Sequence, residues 1–406
     1  MNCLERKVLD MVSVDEAVDI LLEKVNIERI IEEKNIKDIY GYIVAEDIVS
    51  DINIPPFDRS PYDGYCFCAD ENKKRYEVVQ TIYAGDIGGK IESGECAAIM
   101  TGAAIPDGAD TVIKKEDVKY IDGFIEFECD IKKGQNIVLC GEDVSKGEKI
   151  LAKGDIVDSG SIGVLAYAGI EKIKVFKRLS ATIINTGSEV INPGNKYENG
   201  KIYNAGGYIL YSKLKSYRAD VSDIVLCEDD IEKISDTIEK NMISSDIVIT
   251  TGGVSVGDKD FMPEVIEKTG AKIIFRNVDI RPGGLCIAAV KNNKLIMCLS
   301  GNPTAAVSVF DSVISEFLNV TSGKGKKKKT QAIFKGRFDK NSKRDRYING
   351  YAYIDDTKLY VRANDDCSRK ARMFSGIKSN CTIRIKSGTK PVDGDIVDII
   401  PFPEFI

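Results

Sequence analysis

The sequence predicts a multidomain protein of α/β plus β class, in which an α/β/α domain is accompanied by β-rich domains. The chain has 406 residues, which exceeds one ordinary hydrophobic core and favours about three domains. Apolar strands alternate with helices between 178 and 320. Short strands broken by glycine and aspartate occupy 53–143 and 331–406 instead, and this pattern is typical of small β domains.

The N-terminal part predicts helices. Ser13 and Glu16 form a capping box in front of the segment AVDILLEKV, which marks the start of a helix. A second, irregular helix is expected over 27–39. The segment DIVDSGSIGVLAYAGI, residues 155–170, predicts a helix that returns to this part of the chain.

The segment 178–320 predicts a mostly parallel sheet with helices on both faces. Strands such as SATIINTG, DVSDIVLC and DIVITTG alternate with helices such as AGGYILYSKLKSY, DDIEKISDTIEKNMI and FMPEVIEKTG. Further strands are expected near 273–275, 285–290 and 294–299, before a final helix. Alternation of this kind produces parallel sheets covered on both faces. The last 75 or so residues predict a compact β-barrel.

The composition excludes several functional classes. A net charge of −6 argues against general nucleic-acid binding, and no apolar run reaches the ~20 residues of a membrane span. The chain contains no histidine, which excludes Ser-His-Asp catalysis and histidine-bound zinc. The beginning MNCLERKVLDMV lacks the pattern of a signal peptide, and the 11 cysteines form no CxxC pair. We therefore expect reduced thiols and a cytoplasmic protein.

Three glycine-rich loops follow predicted strands of the α/β segment. They are NTGSE at 185–189, TTGGVSVGDKD at 250–260 and LSGNPTAA at 299–306. Ligands of such sheets bind beyond the carboxyl ends of the strands, and backbone N–H groups at helix starts favour anions. The middle loop matches neither the P-loop nor the GxGxxG fingerprint. A turn that only requires positive φ is the alternative for any single loop.

Carboxylates accompany these loops. Glu189, Asp229, Asp258 and Asp260 stand at or near the strand ends, where they would repel a phosphate unless a cation lay between them. Mg²⁺ prefers such oxygen ligands, so the sequence predicts a phosphate site with Mg²⁺ held by Glu189, Asp229 and Asp260. Asp229 has an alternative interpretation as a helix cap. The basic run KGKKKK at 324–329 predicts a solvated linker or, alternatively, an anion-steering patch.

An ordered set of motifs resembles one known family. The motifs are PPFDRSPYDGY (55–65), IMTGAAIPDGAD (99–110), GQNIVLCGEDVSKGE (134–148), NTGSEV (185–190), GKIYNAGGYIL (200–210), TTGGVSVGDKDF (250–261), RPGG (281–284) and SGNPTAA (300–306). Together they resemble the molybdopterin molybdenumtransferases, the MoeA family, which includes the E domain of gephyrin. The resemblance spans essentially the whole chain.

The resemblance implies an architecture and a reaction. It implies a discontinuous N-terminal dimerisation domain (1–52 and 144–177), a β-rich domain (53–143), an α/β molybdopterin-binding domain (178–320) and a C-terminal β-barrel (330–406). It implies a homodimer that inserts molybdate into adenylylated molybdopterin with Mg²⁺-dependent release of AMP, in molybdenum cofactor biosynthesis. The molybdopterin adenylyltransferase is an implied partner.

The family's functional residues match individual positions of this chain. Those implied to be catalytic are Asp63, Thr101, Asp143, Glu189 and Asp260. Those expected to bind substrate are Thr186, Gly187, Ser188, Gly252, Gly253, Ser255, Gly257, Arg281, Pro282, Gly301, Asn302 and Pro303. In this family the site lies between two subunits, so Asp63, Thr101 and Asp143 are expected to act across the dimer.

The chain departs from the family where the oxyanion is gathered. Gly284 replaces a lysine, Ser300 a proline, and Asn349 an expected arginine, while DDCSRKARMF (365–374) replaces a serine motif. We expect Arg281, with Arg369, Lys370 and Arg372, to hold the oxyanion instead; solvated surface charges are the alternative. Three other functions stay open: a tungstate-using enzyme, a pterin-adenylylating enzyme, and a divergent dimeric scaffold.

Overall fold

The computed structural model describes residues 9–69, 73–254, 261–326, 330–364 and 376–403. The chain forms two compact units, one of Met1–Ile30 with Lys177–Ile406 and one of Ile31–Phe176. In the part of the chain that the structure describes, no helix has the length and apolar character needed to cross a membrane.

The larger unit is built around a six-stranded sheet. In spatial order its strands are Asp220–Cys227, Ser180–Thr186, Ile247–Thr251, Lys294–Leu299, Cys286–Lys291 and Lys272–Arg276. The first four are mutually parallel, and Cys286–Lys291 runs antiparallel to both of its neighbours. The predicted mostly parallel sheet is therefore confirmed, and the carboxyl ends of its parallel strands share one edge.

Helices cover both faces of this sheet. Because successive side chains of a strand point to opposite sides, each central strand contributes to two core clusters. Ile183, Ile247 and Ile249 belong to one core cluster, whereas Ile184 and Val248 belong to the other. The helices that cover the first face are Val14–Lys24, Ala205–Ser216, Pro303–Val309 and Ser315–Thr321, the last two joined by the π-helical turn Phe310–Ile314. The second face is covered by the helices Ile231–Ser244 and Met262–Lys268.

The C-terminal part of the same unit is a closed barrel. Its strands, in order around the barrel, are Asp345–Asp355, Lys358–Ala363, Thr330–Lys335, Ile396–Pro401 and Cys381–Ile385, and the last pairs back with the first. The short strand Ile280–Arg281 pairs in parallel with the beginning of Asp345–Asp355. Closure leaves no sheet edge exposed, so the predicted barrel is confirmed.

A buried ion pair ties the barrel to the helices of the α/β part. Lys213 donates to one oxygen of Asp311 at 2.6 Å, and the Thr382 hydroxyl donates to the other at 2.7 Å. The Asp311 side chain is only 2% exposed. The carboxylate is therefore neutralised and hydrogen-bonded at both oxygens, as a buried charge requires.

The smaller unit consists mainly of short strands. One six-stranded sheet has the spatial order Thr111–Lys114, Gly64–Phe67, Glu95–Ile99, Arg75–Ile82, Phe124–Glu126 and Lys119–Ile121. A second group contains the strands Ile31–Asn35, Lys172–Phe176 and Ile43–Val44, the pair Lys149–Leu151 and Ile48–Val49, and the helix Ser159–Tyr167. Short 3₁₀ turns lie at Ile36–Asp38 and Lys115–Asp117.

Two sequence predictions about the N-terminal part have opposite outcomes. The helix with its capping box is confirmed, because the Ser13 side chain and the Glu16 side chain each accept the other residue's backbone N–H. The second helix, predicted over 27–39, is wrong: Ile31–Asn35 is a strand paired antiparallel with Lys172–Phe176. The glutamates of this segment favour a helix, but hydrogen bonding to a strand that is distant in the sequence stabilises the extended conformation instead.

Candidate active site

An open pocket of about 350 Å³ lies at the carboxyl ends of the parallel strands in the larger unit. Nine predicted site residues line it: Thr186, Gly187, Glu189, Asp229, Gly252, Gly253, Gly301, Asn302 and Pro303. The described parts of the three glycine-rich loops therefore converge, as the sheet topology requires. A pocket of this size with convergent polar groups is suited to a small polar ligand.

Buried amide and hydroxyl side chains fix the floor of the pocket. The Asn185 amide donates to the Thr251 hydroxyl at 2.6 Å and its oxygen accepts from the Asn204 amide at 2.9 Å. The Asn204 oxygen in turn accepts from the backbone N–H of Gly207 at 2.9 Å, which caps the helix Ala205–Ser216. This chain of hydrogen bonds joins two strand ends and a helix start, so it makes the pocket rigid.

Gly252 allows two of the loops to touch. Its φ is +103°, and a Cβ there would lie 2.3 Å from the Thr186 hydroxyl oxygen. That hydroxyl donates to the Thr251 carbonyl at 3.1 Å and is buried. The glycine is therefore required both by its backbone conformation and by the close approach of the neighbouring strand end.

Two carboxylates line the pocket beside these loops. Glu189 and Asp229 are both exposed, and Asp229 accepts from the Ser188 backbone N–H at 3.4 Å. Neither forms an ion pair with another residue of the described ranges. The Ser188 carbonyl accepts from the Lys201 ammonium at 2.7 Å, which holds the Glu189 loop in place.

The described carboxylates Glu189 and Asp229 supply part of the ligand set that a hard cation needs. Carboxylate oxygens at the mouth of a polar pocket are the ligands that Mg²⁺ takes, usually together with phosphate and water. Within the described ranges, no group of three or more cysteine or acidic side chains is close enough to hold a metal by itself. Asp260, the third predicted ligand, lies outside the described residues, as do Ser255, Gly257 and Asp258.

The smaller unit brings together two other predicted residues. The Asp63 carboxylate accepts from the Thr101 backbone N–H at 2.8 Å and from its hydroxyl at 2.7 Å. The backbone donor first, and then the hydroxyl, hold the pKa of Asp63 below its usual value. Asp143 is exposed on a loop, and its own backbone N–H donates to the Ile54 carbonyl at 2.9 Å. This unit therefore presents an ionised carboxylate at Asp63.

Pro282 belongs to a different cavity from the glycine loops, whereas Arg281 is exposed and lines neither of these two cavities. Pro282 lines a small cavity of about 60 Å³ together with Thr304, Lys340, Arg346 and Asn349. The carboxylate of Asp311 also reaches this cavity, but both of its oxygens are already engaged as described above. Arg369, Lys370 and Arg372, expected to assist Arg281, lie outside the described residues.

Arg346 and Lys340 both bring positive charge to this second cavity. Arg346 is the strand partner of Arg281, and its buried Nε atom has no hydrogen-bond acceptor among the described residues. Burial, and then the charge of Arg281, lower the pKa of the Arg346 guanidinium. Neighbouring arginines of the barrel are paired instead, Arg344 with Asp279 and Arg384 with Asp345. A partly buried guanidinium whose Nε–H meets no acceptor in the described part of the chain favours an anion.

The structure also explains one departure from the family. Gly284 has a φ of +102°, and a Cβ at this position would lie 2.4 Å from the Val278 carbonyl oxygen. A lysine at 284 would therefore clash with the backbone unless the turn moved. Gly284 therefore supplies no cation here, whereas Arg346 lies on the strand that pairs with Ile280–Arg281.

Sequence reasoning missed several lining residues. They are Asn185, Val190, Ile202, Tyr203, Asn204, Ala205, Gly206, Thr251, Val254, Phe261, Leu285 and Ser300 in the first pocket, and Arg346 in the second. Asn204 carried a usable signal, since asparagine before a helical segment is a common N-cap. Arg346 carried none, because its position depends on a pairing between distant strands.

The family models match most of the chain. The MoeA N-terminal region (domain I and II) matches residues 12–169, and a probable molybdopterin binding domain matches residues 182–320. The molybdopterin molybdenumtransferase of Staphylococcus epidermidis is 32% identical over 401 residues, 96% of this chain and 95% of the relative. That of Staphylococcus aureus is 36% identical over 279 residues, 67% of each chain.

A solved structure agrees over the full length. The molybdopterin biosynthesis MoeA protein of Pyrococcus horikoshii OT3 superimposes with a TM-score of 0.79 at 26% identity, covering 98% of this chain and 100% of the other. The fold, the pocket and these matches define an enzyme of molybdenum cofactor biosynthesis. The chain belongs to the molybdopterin molybdenumtransferase family, so the resemblance inferred from the motifs is confirmed.

Proposed function

We propose that this protein inserts molybdate into adenylylated molybdopterin with Mg²⁺-dependent release of AMP. The observation that carries the proposal is the first pocket, where glycine-rich loops and exposed carboxylates meet at one sheet edge. Backbone amides in such loops suit phosphate oxygens, and the carboxylates suit a cation that bridges to them. A histidine-free site is adequate for this chemistry, because phosphoryl transfer depends on positioning and charge neutralisation.

Glu189 and Asp229 would hold Mg²⁺, with Asp260 as the further predicted ligand. The cation would supply neutralisation of the phosphate charge. The chain's own contribution is to bind and orient the phosphates against the Gly252 and Gly301 loops. The rigid hydrogen-bonded floor of Asn185, Thr251 and Asn204 supports that orientation without rearrangement.

The second cavity is the proposed oxyanion site. Arg346 offers a buried Nε–H donor, and its strand partner Arg281 adds a second positive charge. A charge-assisted hydrogen bond contributes about 1.5–3 kcal/mol, roughly ten- to a hundredfold in affinity. Arg369, Lys370 and Arg372 lie outside the described residues, and their contribution to this site stays a prediction. Either molybdate or tungstate fits the chemistry of the site.

The oxyanion proposal is tested by titrating molybdate and tungstate against three proteins. Arg346→Gln is expected to bind either anion roughly tenfold more weakly or worse. The control is Arg337→Gln, since Arg337 is an exposed barrel arginine paired with Asp339. Equal affinity in Arg346→Gln and wild type would contradict the assignment of Arg346.

The reaction itself is tested by AMP release. The purified protein is incubated with adenylylated molybdopterin, molybdate and Mg²⁺, and AMP is quantified by chromatography. Glu189→Gln is expected to lose at least about tenfold in rate, since even outer-shell changes cost that much at metal sites. Glu198→Gln, an exposed glutamate of the same segment that does not line the pocket, is the matched control.

Different results would contradict the metal assignment and the enzymatic proposal. Full AMP release in excess chelator, or in Glu189→Gln, would remove the metal assignment. A wild-type protein that releases no AMP would favour the divergent scaffold instead. Asp260→Asn extends the test to the third predicted ligand.

We further propose that the protein is a homodimer in which Asp63, Thr101 and Asp143 act in the site of the partner subunit. The paired Asp63 and Thr101 of the smaller unit support a defined role for these residues. Mixing inactive Asp63→Asn and Glu189→Gln proteins should restore part of the activity, since a heterodimer contains one intact site. Absence of recovery after verified subunit exchange would argue for a site in which these residues belong to one chain.

A further inference from the structure

A tyrosine lies beside the glycine-rich loops of the first pocket, which are proposed to bind phosphate and are called the phosphate loops below. Tyr203 lines the pocket together with Gly187, Glu189 and Gly252, and it is 44% exposed. Most large aromatic side chains bury more of their surface than this. The neighbouring Ile202, which also lines the pocket, is 58% exposed. The polar phosphate loops therefore adjoin an apolar surface.

The position of Tyr203 is held from several sides. Its strand, Ile202–Tyr203, pairs in parallel with Val190–Ile191, and the Ile202 N–H donates to the Glu189 carbonyl at 2.8 Å. The next residue, Asn204, is buried in the hydrogen-bonded floor of the pocket. The backbone of Tyr203 is therefore fixed relative to the backbone of Glu189, whose carboxylate is proposed to hold the cation.

The ring is restrained as well as the backbone. The Tyr203 hydroxyl donates to the Asn195 carbonyl at 3.0 Å. The ring of Tyr197 packs near it, with centroids 6.4 Å apart and planes tilted by 46°. An aromatic ring that is both exposed and restrained loses little conformational entropy when a ligand packs on it.

We propose that Tyr203 binds a planar heterocycle of the substrate by stacking, and so positions the phosphate against the glycine loops. This inference rests on the proposed function, in which the substrate carries an adenine and a pterin on either side of its phosphates. Flat heteroaromatic rings stack on exposed tyrosine faces. Tyr203 is then a substrate-binding residue that selects ring-bearing phosphates over simple ones.

The test is calorimetric binding of AMP, ribose 5-phosphate and molybdopterin, each with Mg²⁺. Tyr203→Ala is expected to weaken binding of AMP or molybdopterin roughly five- to a hundredfold, with ribose 5-phosphate unchanged. Tyr203→Phe keeps the ring and is expected to retain most of the affinity. The control is Tyr208→Ala, because Tyr208 is equally exposed at 46% but does not line the pocket. Circular dichroism verifies the fold of each variant.

The outcomes separate the stacking inference from the proposed function. If Tyr203→Ala loses affinity for AMP alone, adenine is the stacked ring. If it loses affinity for molybdopterin alone, the pterin is the stacked ring. If wild type binds these ligands and Tyr203→Ala binds them equally well, the stacking inference is wrong while the proposed function stands. If wild type binds none of the three at millimolar concentration, the proposed function fails and this inference fails with it.

Discussion

Replacing Gly252 by alanine should damage both the stability of the larger unit and its pocket. The new Cβ would lie 2.3 Å from the Thr186 hydroxyl and 3.0 Å from its carbonyl oxygen, distances that force the two strand ends apart. A non-glycine residue at a strained positive φ costs about 1–3 kcal/mol. Losing the buried Thr186 hydrogen bond to Thr251 adds about 1–3 kcal/mol. The expected destabilisation is therefore about 2–6 kcal/mol.

The matched control is Gly270→Ala in the same unit. Gly270 also has a positive φ, +67°, but no atom lies within 4 Å of a Cβ built there. Alanine at position 270 therefore costs only the free energy of holding a residue with a Cβ at positive φ, about 1–2 kcal/mol. The comparison isolates the contact between the two loops from the conformational preference of glycine.

The assay combines urea unfolding with ligand binding. Far-ultraviolet circular dichroism gives the free energy of unfolding of each variant, and calorimetry gives its affinity for AMP with Mg²⁺. Gly252→Ala should be the less stable variant and should bind AMP more weakly, whereas Gly270→Ala should bind AMP like wild type. Equal stability and equal AMP affinity in the two variants would refute the argument that Gly252 joins the loops.

Three further predictions concern other parts of the chain. Lys213→Ala leaves a buried carboxylate uncompensated and should reduce the free energy of urea unfolding by about 3–5 kcal/mol; a loss below 1 kcal/mol would contradict the buried ion pair. Thr101→Val should raise the pKa of Asp63, measured by carbon NMR, but not to the usual value, because the backbone N–H remains. The folded pKa of Asp63 is depressed, so the hydrogen bond to Thr101 stabilises the protein while the carboxylate is ionised. The difference in unfolding free energy between this variant and wild type should therefore be present above about pH 4 and vanish as the pH falls through the folded pKa. A difference that does not change with pH would refute this assignment. Iodoacetamide at pH 8 should alkylate Cys129 and Cys140 first among the described cysteines, because these are exposed whereas burial raises the pKa of five others to about 12; mass spectrometry of early time points measures this.

Local patterns predicted much of the fold. The capping box of Ser13 and Glu16 and the alternating elements of the α/β segment were predicted correctly, because caps and apolar periodicity are properties of neighbouring residues. The helix expected over 27–39 was wrong, since its strand pairing with Lys172–Phe176 is a long-range interaction. The four-part domain division stays a prediction.

The candidate site shows the same division between local and long-range information. The glycine loops and their carboxylates were identifiable because residue type and strand ends are visible along the chain. The pairing of Arg281 with Arg346, and the cavity beside them, were not. The expected contribution of Arg369, Lys370 and Arg372 stays a prediction, because these residues lie outside the described ranges.

The sequence by itself determined most of the α/β elements, the start of the helix at Ser13 and the loops that bear glycine and carboxylate, since each depends on a few adjacent residues. The family followed from the order of its motifs. Tertiary structure decided which strand ends touch, and it thereby joined Asn185 to Thr251 and Asn204 and placed Tyr203 beside the glycine-rich loops. The physical reason is that strand register and sheet order set distances between segments that are far apart in the chain, and hydrogen bonds and stacking act only at short range.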